Sequence, residues 1–421
     1  MRAKNTVRYY LLILLVLAVS FFTNDFGLVD IQKTALVIAV GIDREEDEFV
    51  VTTQIALPKP DEQGEQDSEI VSKGKTVASA FEEINAKTGW YPKLVFCQLI
   101  VLGETAVTEN VFDALGFFLR NEYISDDCLL ATCEGSAKEI LNAKNPVETL
   151  SGLAIAKVLS THAEEVGTVL PNTLKEFSKS YYSEEKSGYL PIIKTENPQE
   201  NDKQNKQKTE KSTGQVRDEE NSRTIFTSAQ GNSPSGEQNK AGDNGQKSAG
   251  AEEKVFSASE TALFKNGLLV GKLTKAETLT LAFVKSKLRL ALYLVESNEN
   301  EHTLSVRRNS PKTKLSLKDK TAPKLEISLE ITAGALDNNQ ADSVEELEKS
   351  PKVPKTVLRL AEEKLKGEVV QLFEKTKRLN CDVFDCVETL KRKEYGEYYK
   401  QKESLLERIT PVVSVSFRTV R

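Results

Sequence analysis

The chain has 421 residues with a formal net charge of -6. That is long enough for two or three domains, and with no basic stripe to offset the charge it argues against nucleic acid as a partner. Only two histidines, His162 and His302, occur in the whole chain, and each reads as a surface residue with nothing nearby to orient it for zinc or triad chemistry.

The amino end carries Arg2, Lys4 and Arg8 ahead of an unbroken apolar run, Tyr9 to Phe22. At about 14 residues it falls short of the roughly 20 of a full span and inside the range of a signal-peptide core. The basic flank keeps that end in the cytoplasm and sends the remainder outward. Ala18-Val19-Ser20 has the small residues of a cleavage site. The alternative is an uncleaved anchor spanning residues 1–26. The first cysteine is Cys97, so no lipid attachment is encoded.

Ala35 to Val40 reads as a buried strand ending at Gly41-Ile42-Asp43, where a carboxylate can cap or bond nearby amides. An acidic turn follows, Glu45-Glu46-Asp47-Glu48, without the spacing or the glycine of a calcium loop. Phe49 to Leu57 completes a hairpin, closed by Pro58 and Pro60. Residues 61–73 read as a polar loop. Thr76 then caps a helix with Val77, Ala80, Phe81 and Ile84 on one face. Leu94 to Leu102 is apolar almost throughout and reads as a central strand covered on both faces. A helix from Val107 to Arg120 and a strand from Leu129 to Cys133 come next, with Asp126-Asp127 as turn residues. Further helices are predicted over residues 137–142, 147–159 and 173–182, and a strand over Tyr189 to Ile193.

Residues 195–254 are Gln, Asn, Lys, Glu, Ser and Gly with one aromatic, Phe226, a composition that reads as a disordered linker. Asn266-Gly267, between apolar runs, is the strongest short hairpin signal in the chain. Thr274 starts a helix through Glu277, Leu281 and Val284. Strands are predicted at Arg289–Val295, Thr303–Arg307, Thr313–Leu317 and Lys324–Ile331, antiparallel neighbours with one wet face. A charged helix over Lys355 to Leu379 has an apolar stripe of Val357, Leu360, Leu365, Val369, Leu372 and Phe373. A second helix covers Val383 to Lys393, and the alternation of Val412 to Val420 is a terminal strand. The fold class is α+β: mixed sheets with packed helices in more than one domain, after one apolar amino-terminal helix. The divisions are 27–194 and 255–421, on either side of the linker.

None of the five cysteines (Cys97, Cys128, Cys133, Cys381, Cys386) forms a CxxC pair, and they read as buried single thiols. Cys128 and Cys133, five apart across a strand, face opposite sides of it. No GxGxxG, P-loop, GxSxG or HExxH pattern is present. No catalytic, metal-binding or lipidated residue and no cofactor is predicted, and no ligand-binding residue can be assigned.

Four motifs in order carry a resemblance. ALVIAVGID (Ala35 to Asp43), with its charged turn and FVVTTQIALP, resembles the start of the Ger(x)C proteins, the C subunits of spore germinant receptors. EGSAKEIL (Glu134 to Leu141) is similar to that family's strand-to-helix step. Ala262-Leu263-Phe264-Lys265, Leu269-Val270-Gly271-Lys272-Leu273 and Glu277-Thr278 are similar to its "A-V-F-K … L-V-G-x-L … E-T" pattern. Asp382-Val383-Phe384 matches its "D-x-F-G", with Asp385 in place of the glycine. The chain departs from the family at Gly27 to Gln32, which has neither the lipobox cysteine nor the tryptophan usual there. The resemblance implies a three-domain α+β fold, the first region splitting near 134–145 and the third domain beginning near Phe256. It also implies a non-enzymatic receptor subunit on the outer face of the spore inner membrane, beside integral A- and B-type subunits and required for germination, a job that favours the uncleaved anchor. An extracytoplasmic solute-binding module and a cell-wall hydrolase are the rival readings.

Overall fold

The computed structural model describes residues 10–17, 34–56, 68–143, 145, 148–196, 254–297, 300–316, 323–338, 353–401 and 405–419. The candidate cleavage site at Ala18 and most of the predicted linker, residues 197–253, lie outside the described residues. Residues 10–17 are helical, and each of their side chains is more than half exposed. No described helix is long and apolar enough to cross a membrane.

The first sheet is built on the predicted hairpin, β1 (Thr34–Glu45) and β2 (Glu48–Ala56). Residues 68–74, read as loop, instead form β3 (Ser68–Gly74), an edge strand antiparallel to β2. Its Glu and Lys residues hid it from a hydrophobic pattern, yet such charges are what an exposed edge needs. β4 (Tyr91–Lys93) pairs in parallel with the first residues of β1, Thr34 opposite Tyr91. β5 (Leu99–Leu102) and β6 (Leu129–Cys133) continue in parallel, and β7 (Ser187–Glu196) lies parallel to β6. Two further strands follow, β8 (Val255–Lys265) antiparallel to β7 and β9 (Leu268–Leu273) antiparallel to β8. The last residue of β7, Glu196, pairs with the first of β8, Val255. Nine strands thus run in the order β3-β2-β1-β5-β6-β7-β8-β9, with β4 beside β1.

Every residue of β5 is fully buried, as a central parallel strand with both faces covered requires. The predicted strand Leu94 to Leu102 is half right. Its first third, Leu94–Phe96, is a 3₁₀ turn that buries Leu94 but leaves Val95 49% and Phe96 54% exposed. A continuous apolar run cannot by itself distinguish strand from turn. One face of the sheet is covered by helices Val77–Thr88 and Val111–Leu119, the other by Ala137–Asn142 and Ser151–Val158. Cys128 lies in the first of these cores and Cys133 in the second, so the two do face opposite sides. The helix expected from Val107 starts at Val111, where Asn110 accepts from Phe112 N–H; Glu104–Val107 is a separate 3₁₀ turn.

The second sheet contains β10 (Leu292–Ser297), β11 (Asn300–Ser316), β12 (Lys324–Asn338) and β13 (Thr410–Thr419). The two short strands expected at 303–307 and 313–317 are one strand, β11, whose register shifts between Val306 and Arg308; a bulge there interrupts the alternation. β10, β11 and β12 are antiparallel, and β13 returns parallel to β12. Helix Lys355–Arg378 packs on this sheet through Val357, Ala361, Leu365, Val369, Leu372 and Phe373. Leu360, assigned to that stripe from the sequence, is 37% exposed, and Leu358 is buried instead. The helix expected from Val383 starts at Cys386. Short helices at Thr161–Val166, Tyr395–Gln401 and Leu405–Arg408 were not visible in the pattern.

The hairpin joining β8 to β9 turns at Asn266 (φ 54°) and Gly267 (φ 78°), both left-handed, the geometry that a two-residue turn between twisted strands demands. Asn266→Val should therefore lower the unfolding free energy by about 1–2 kcal/mol through αL strain, whereas Asn266→Gly should be close to neutral. Urea midpoints of the two variants test this.

Candidate functional site

Each family-like motif contributes to a carboxylate fastening between elements. At the end of β1, Asp43 is buried, and its Oδ1 accepts from Ala137 N–H at 2.8 Å. Its Oδ2 accepts from Lys138 N–H at 3.0 Å and from Ser136 Oγ at 2.8 Å. The first and second motifs, some 94 residues apart, are thus joined through one carboxylate, which satisfies the free amides at the start of helix Ala137–Asn142. A Cβ on Gly103 would stand 1.8 Å from Asp43 Oδ1, so β5 must leave the sheet on a residue without a side chain. Gln54 on β2 makes a second such link: its Nε2 donates to Leu141 O at 2.8 Å and its Oε1 accepts from Gly152 N–H at 2.7 Å.

The third motif does the same for the carboxyl-terminal half. Thr274 and Glu277 form a capping box at helix Lys275–Lys285. Both oxygens of Glu277 also accept from Lys375 Nζ, at 2.8 and 2.7 Å, which ties that helix to Lys355–Arg378. Burial alone would raise the Glu277 pKa, but Lys375 and the Thr274 amide outweigh it and hold the carboxyl below its ordinary value of 4.5. Thr278 Oγ1 meets Thr261 Oγ1 at 3.0 Å in the buried space beneath β8. A Cβ on Gly271 would press within 2.7 Å of Leu379.

In the fourth motif, buried Asp382 accepts from Cys386 N–H at 3.1 Å and Val387 N–H at 2.9 Å, and its own N–H donates to Ser187 Oγ on β7 at 3.0 Å. Burial pushes its carboxyl above the ordinary value of 3.8 despite those amides. Asp385 stands where the family pattern has glycine, and its φ is 56°. The position needs a left-handed residue, and aspartate is among the few side chains that tolerate it. Its carboxylate pairs with Lys285 Nζ at 2.9 Å, and the same ammonium donates to Val383 O at 2.7 Å and lies over the Tyr189 ring.

These last residues floor a polar cleft of about 730 Å³ between helix Leu174–Tyr182, the start of β7 and helix Cys386–Lys393. Lys179, Lys391 and Arg392 line it together with Glu176, Glu185 and Glu388. The sequence reading missed this cleft, because its walls come from segments about 200 residues apart with no shared motif.

The other candidates of the sequence lie apart. Glu46 sits at the left-handed corner of the β1–β2 turn, and Glu45 pairs with Lys73. Asp126 pairs with Lys175 at 2.6 Å. His162 is exposed on helix Thr161–Val166, while His302 is on β11. All five cysteines are buried and free. Cys97 and Cys128 bring their sulfurs to 3.9 Å. Burial pushes the Cys381 thiol up to about 12 and that of Cys133 higher still. Among the described residues no His, Cys, Asp and Glu group has the geometry of a metal site.

Residues 28–195 match the family described as spore germination protein N-terminal domain. Residues 259–419 match the one described as spore germination B3/GerAC like, C-terminal. The chain belongs to the Ger(x)C family of spore germination proteins. Among solved structures it is similar to one titled "Crystal Structure of the GerBC protein", with a TM-score of 0.51 and 15% identity over 91% of this chain and 97% of that one. At that identity the likeness is one of fold. No curated protein matches the chain.

Two outcomes follow from the fastenings. Asp43→Ala strands three donors and should cost roughly 2–4 kcal/mol of stability, with Asp43→Asn losing less; urea unfolding measures both. Because Glu277 has its pKa lowered by folding, its stabilisation is present above about pH 4.5 and is lost as pH falls through the lower folded value. The stability gap between wild type and Lys375→Met should therefore be open at pH 7 and shrink toward pH 3, as read from denaturant midpoints at each pH.

Proposed function

We propose that this chain is the non-enzymatic C-type subunit of a nutrient germinant receptor. In this reading the amino-terminal apolar segment holds it on the outer face of the spore inner membrane. It acts there by contact with integral A- and B-type subunits and is required for the nutrient response. The observation that carries this is the use made of the family motifs. Asp43, Glu277 and Asp382 direct their carboxylates at backbone amides or a lysine that fasten one element to another, which is the work of a scaffold that presents surfaces. The same reading keeps the division into 27–194 and 255–421, close to the bounds of the two family matches.

The polar cleft favours a second reading, a module that binds a small zwitterionic solute, since both signs of charge line it. A hydrolase would need two carboxylates free to face a sugar. In the cleft Asp382 has both oxygens engaged by amides and Asp385 is paired with Lys285.

Spores lacking this chain, in a strain without a second copy of the family, should respond slowly or not at all to nutrients, and the wild-type gene should restore them. Normal germination would end the proposal. Calorimetry of the protein with amino acids and sugars separates the readings: tight direct binding supports the solute-binding module.

A further inference from the structure

One group of exposed side chains plays no part in the fastenings. Tyr91 (47% exposed), Val95 (49%) and Phe96 (54%) lie in one short stretch formed by β4 and the 3₁₀ turn after it. Tyr123 (57%) stands beside them, with Lys93 Nζ 5.3 Å from its ring centroid. Trp90, the sole tryptophan of the chain, is half-buried immediately before β4. Leaving this much aromatic surface in water is costly for a protein that has Leu94 in the same turn seated in its core.

The position of the group says what covers it. Tyr91 pairs with Thr34, the first residue of β1, so the aromatic residues surround the point where the chain enters the fold. About 16 residues separate Thr34 from the exposed apolar helix at 10–17. Their extended reach of roughly 55 Å would let the body hang well clear of any surface holding that helix. Tryptophan, tyrosine and lysine at one end of a body are the residues that settle at a membrane–water boundary, with ring bodies among the acyl ends and polar tips in the headgroups. A tether also raises the local concentration of surface, so weak partitioning suffices.

We infer that the Tyr91–Phe96 turn, with Tyr123 and Lys93, seats this end of the first sheet in the interface of a lipid bilayer. The turn β1–β2 at the far end of the same strand then points away from the membrane. The inference rests on the proposed anchoring by the amino-terminal segment and adds a second contact that fixes the orientation of the body.

The native thiols are all buried, so one introduced cysteine labels selectively. The test uses the full chain in phosphatidylcholine vesicles, with a nitroxide at Phe96→Cys or, for comparison, at exposed Asp47→Cys in the β1–β2 turn. The label at 96 should collide several-fold more with oxygen, which concentrates in lipid, than with a water-soluble nickel chelate, and the label at 47 should show the reverse. Adding Val95→Ser and Tyr123→Ser should return position 96 to water while the chain stays on the vesicles. A vesicle-bound chain whose position 96 is as wet as position 47 overturns the inference. So does a label at 96 shielded from both reagents, which would put protein where lipid is inferred. A chain that fails to bind vesicles defeats the anchoring and this inference together. A deletion strain that germinates normally defeats the receptor reading and leaves the vesicle result standing.

Discussion

The first half of the molecule depends on one buried carboxylate. Asp43, near the end of β1, accepts from three donors at the head of helix Ala137–Asn142, while Gly103 just after β5 leaves it the space. Three connections that a parallel sheet leaves open (where one strand stops, where its neighbour turns out and where the covering helix begins) are closed by the same two oxygens. A buried carboxyl group is tolerable only when its oxygens find partners, and here two backbone amides and the Ser136 hydroxyl supply them.

The two family matches meet in the middle of a sheet. The first ends at residue 195 in β7, and the second begins at 259 in β8, yet β7 and β8 are hydrogen-bonded neighbours over most of their length. The carboxyl-terminal core continues directly from them, through β9 into helix Lys275–Lys285. It is latched back by Asp382 N–H on Ser187 Oγ and by Cys381 Sγ on the carbonyl of Phe264. A division clear in sequence is therefore a continuous hydrogen-bonded surface in space. The polar cleft lies along that latch.

Much of this was legible from local chemistry. The β1–β2 and β8–β9 hairpins, the caps at Thr76 and Thr274 and the long helix after Pro354 announce themselves through alternation, turn residues and capping boxes. What was not legible is non-local. β3 is polar, and only pairing with β2 makes it a strand. Leu94 to Leu102 reads as one element because hydrophobicity does not say which residues are covered, and Val95 and Phe96 are not. Asp43 could be read as a capping residue, but not as the cap of a helix 94 positions away. The glycine missing from the fourth motif became intelligible only once Asp385 was found in a left-handed conformation against Lys285.

The pairing of Glu196 with Val255 has one more consequence. Whatever length of chain leaves β7 must return to β8 at the next rung of the ladder, so its two ends are held a strand spacing apart by the sheet. Closing a loop between fixed ends costs only about 0.6 kcal/mol more for each doubling of its length. The sheet is accordingly almost indifferent to how many residues occupy that gap. The segment can be lengthened, shortened or rewritten without renegotiating the core, which makes this seam a place where an added module would disturb the body little.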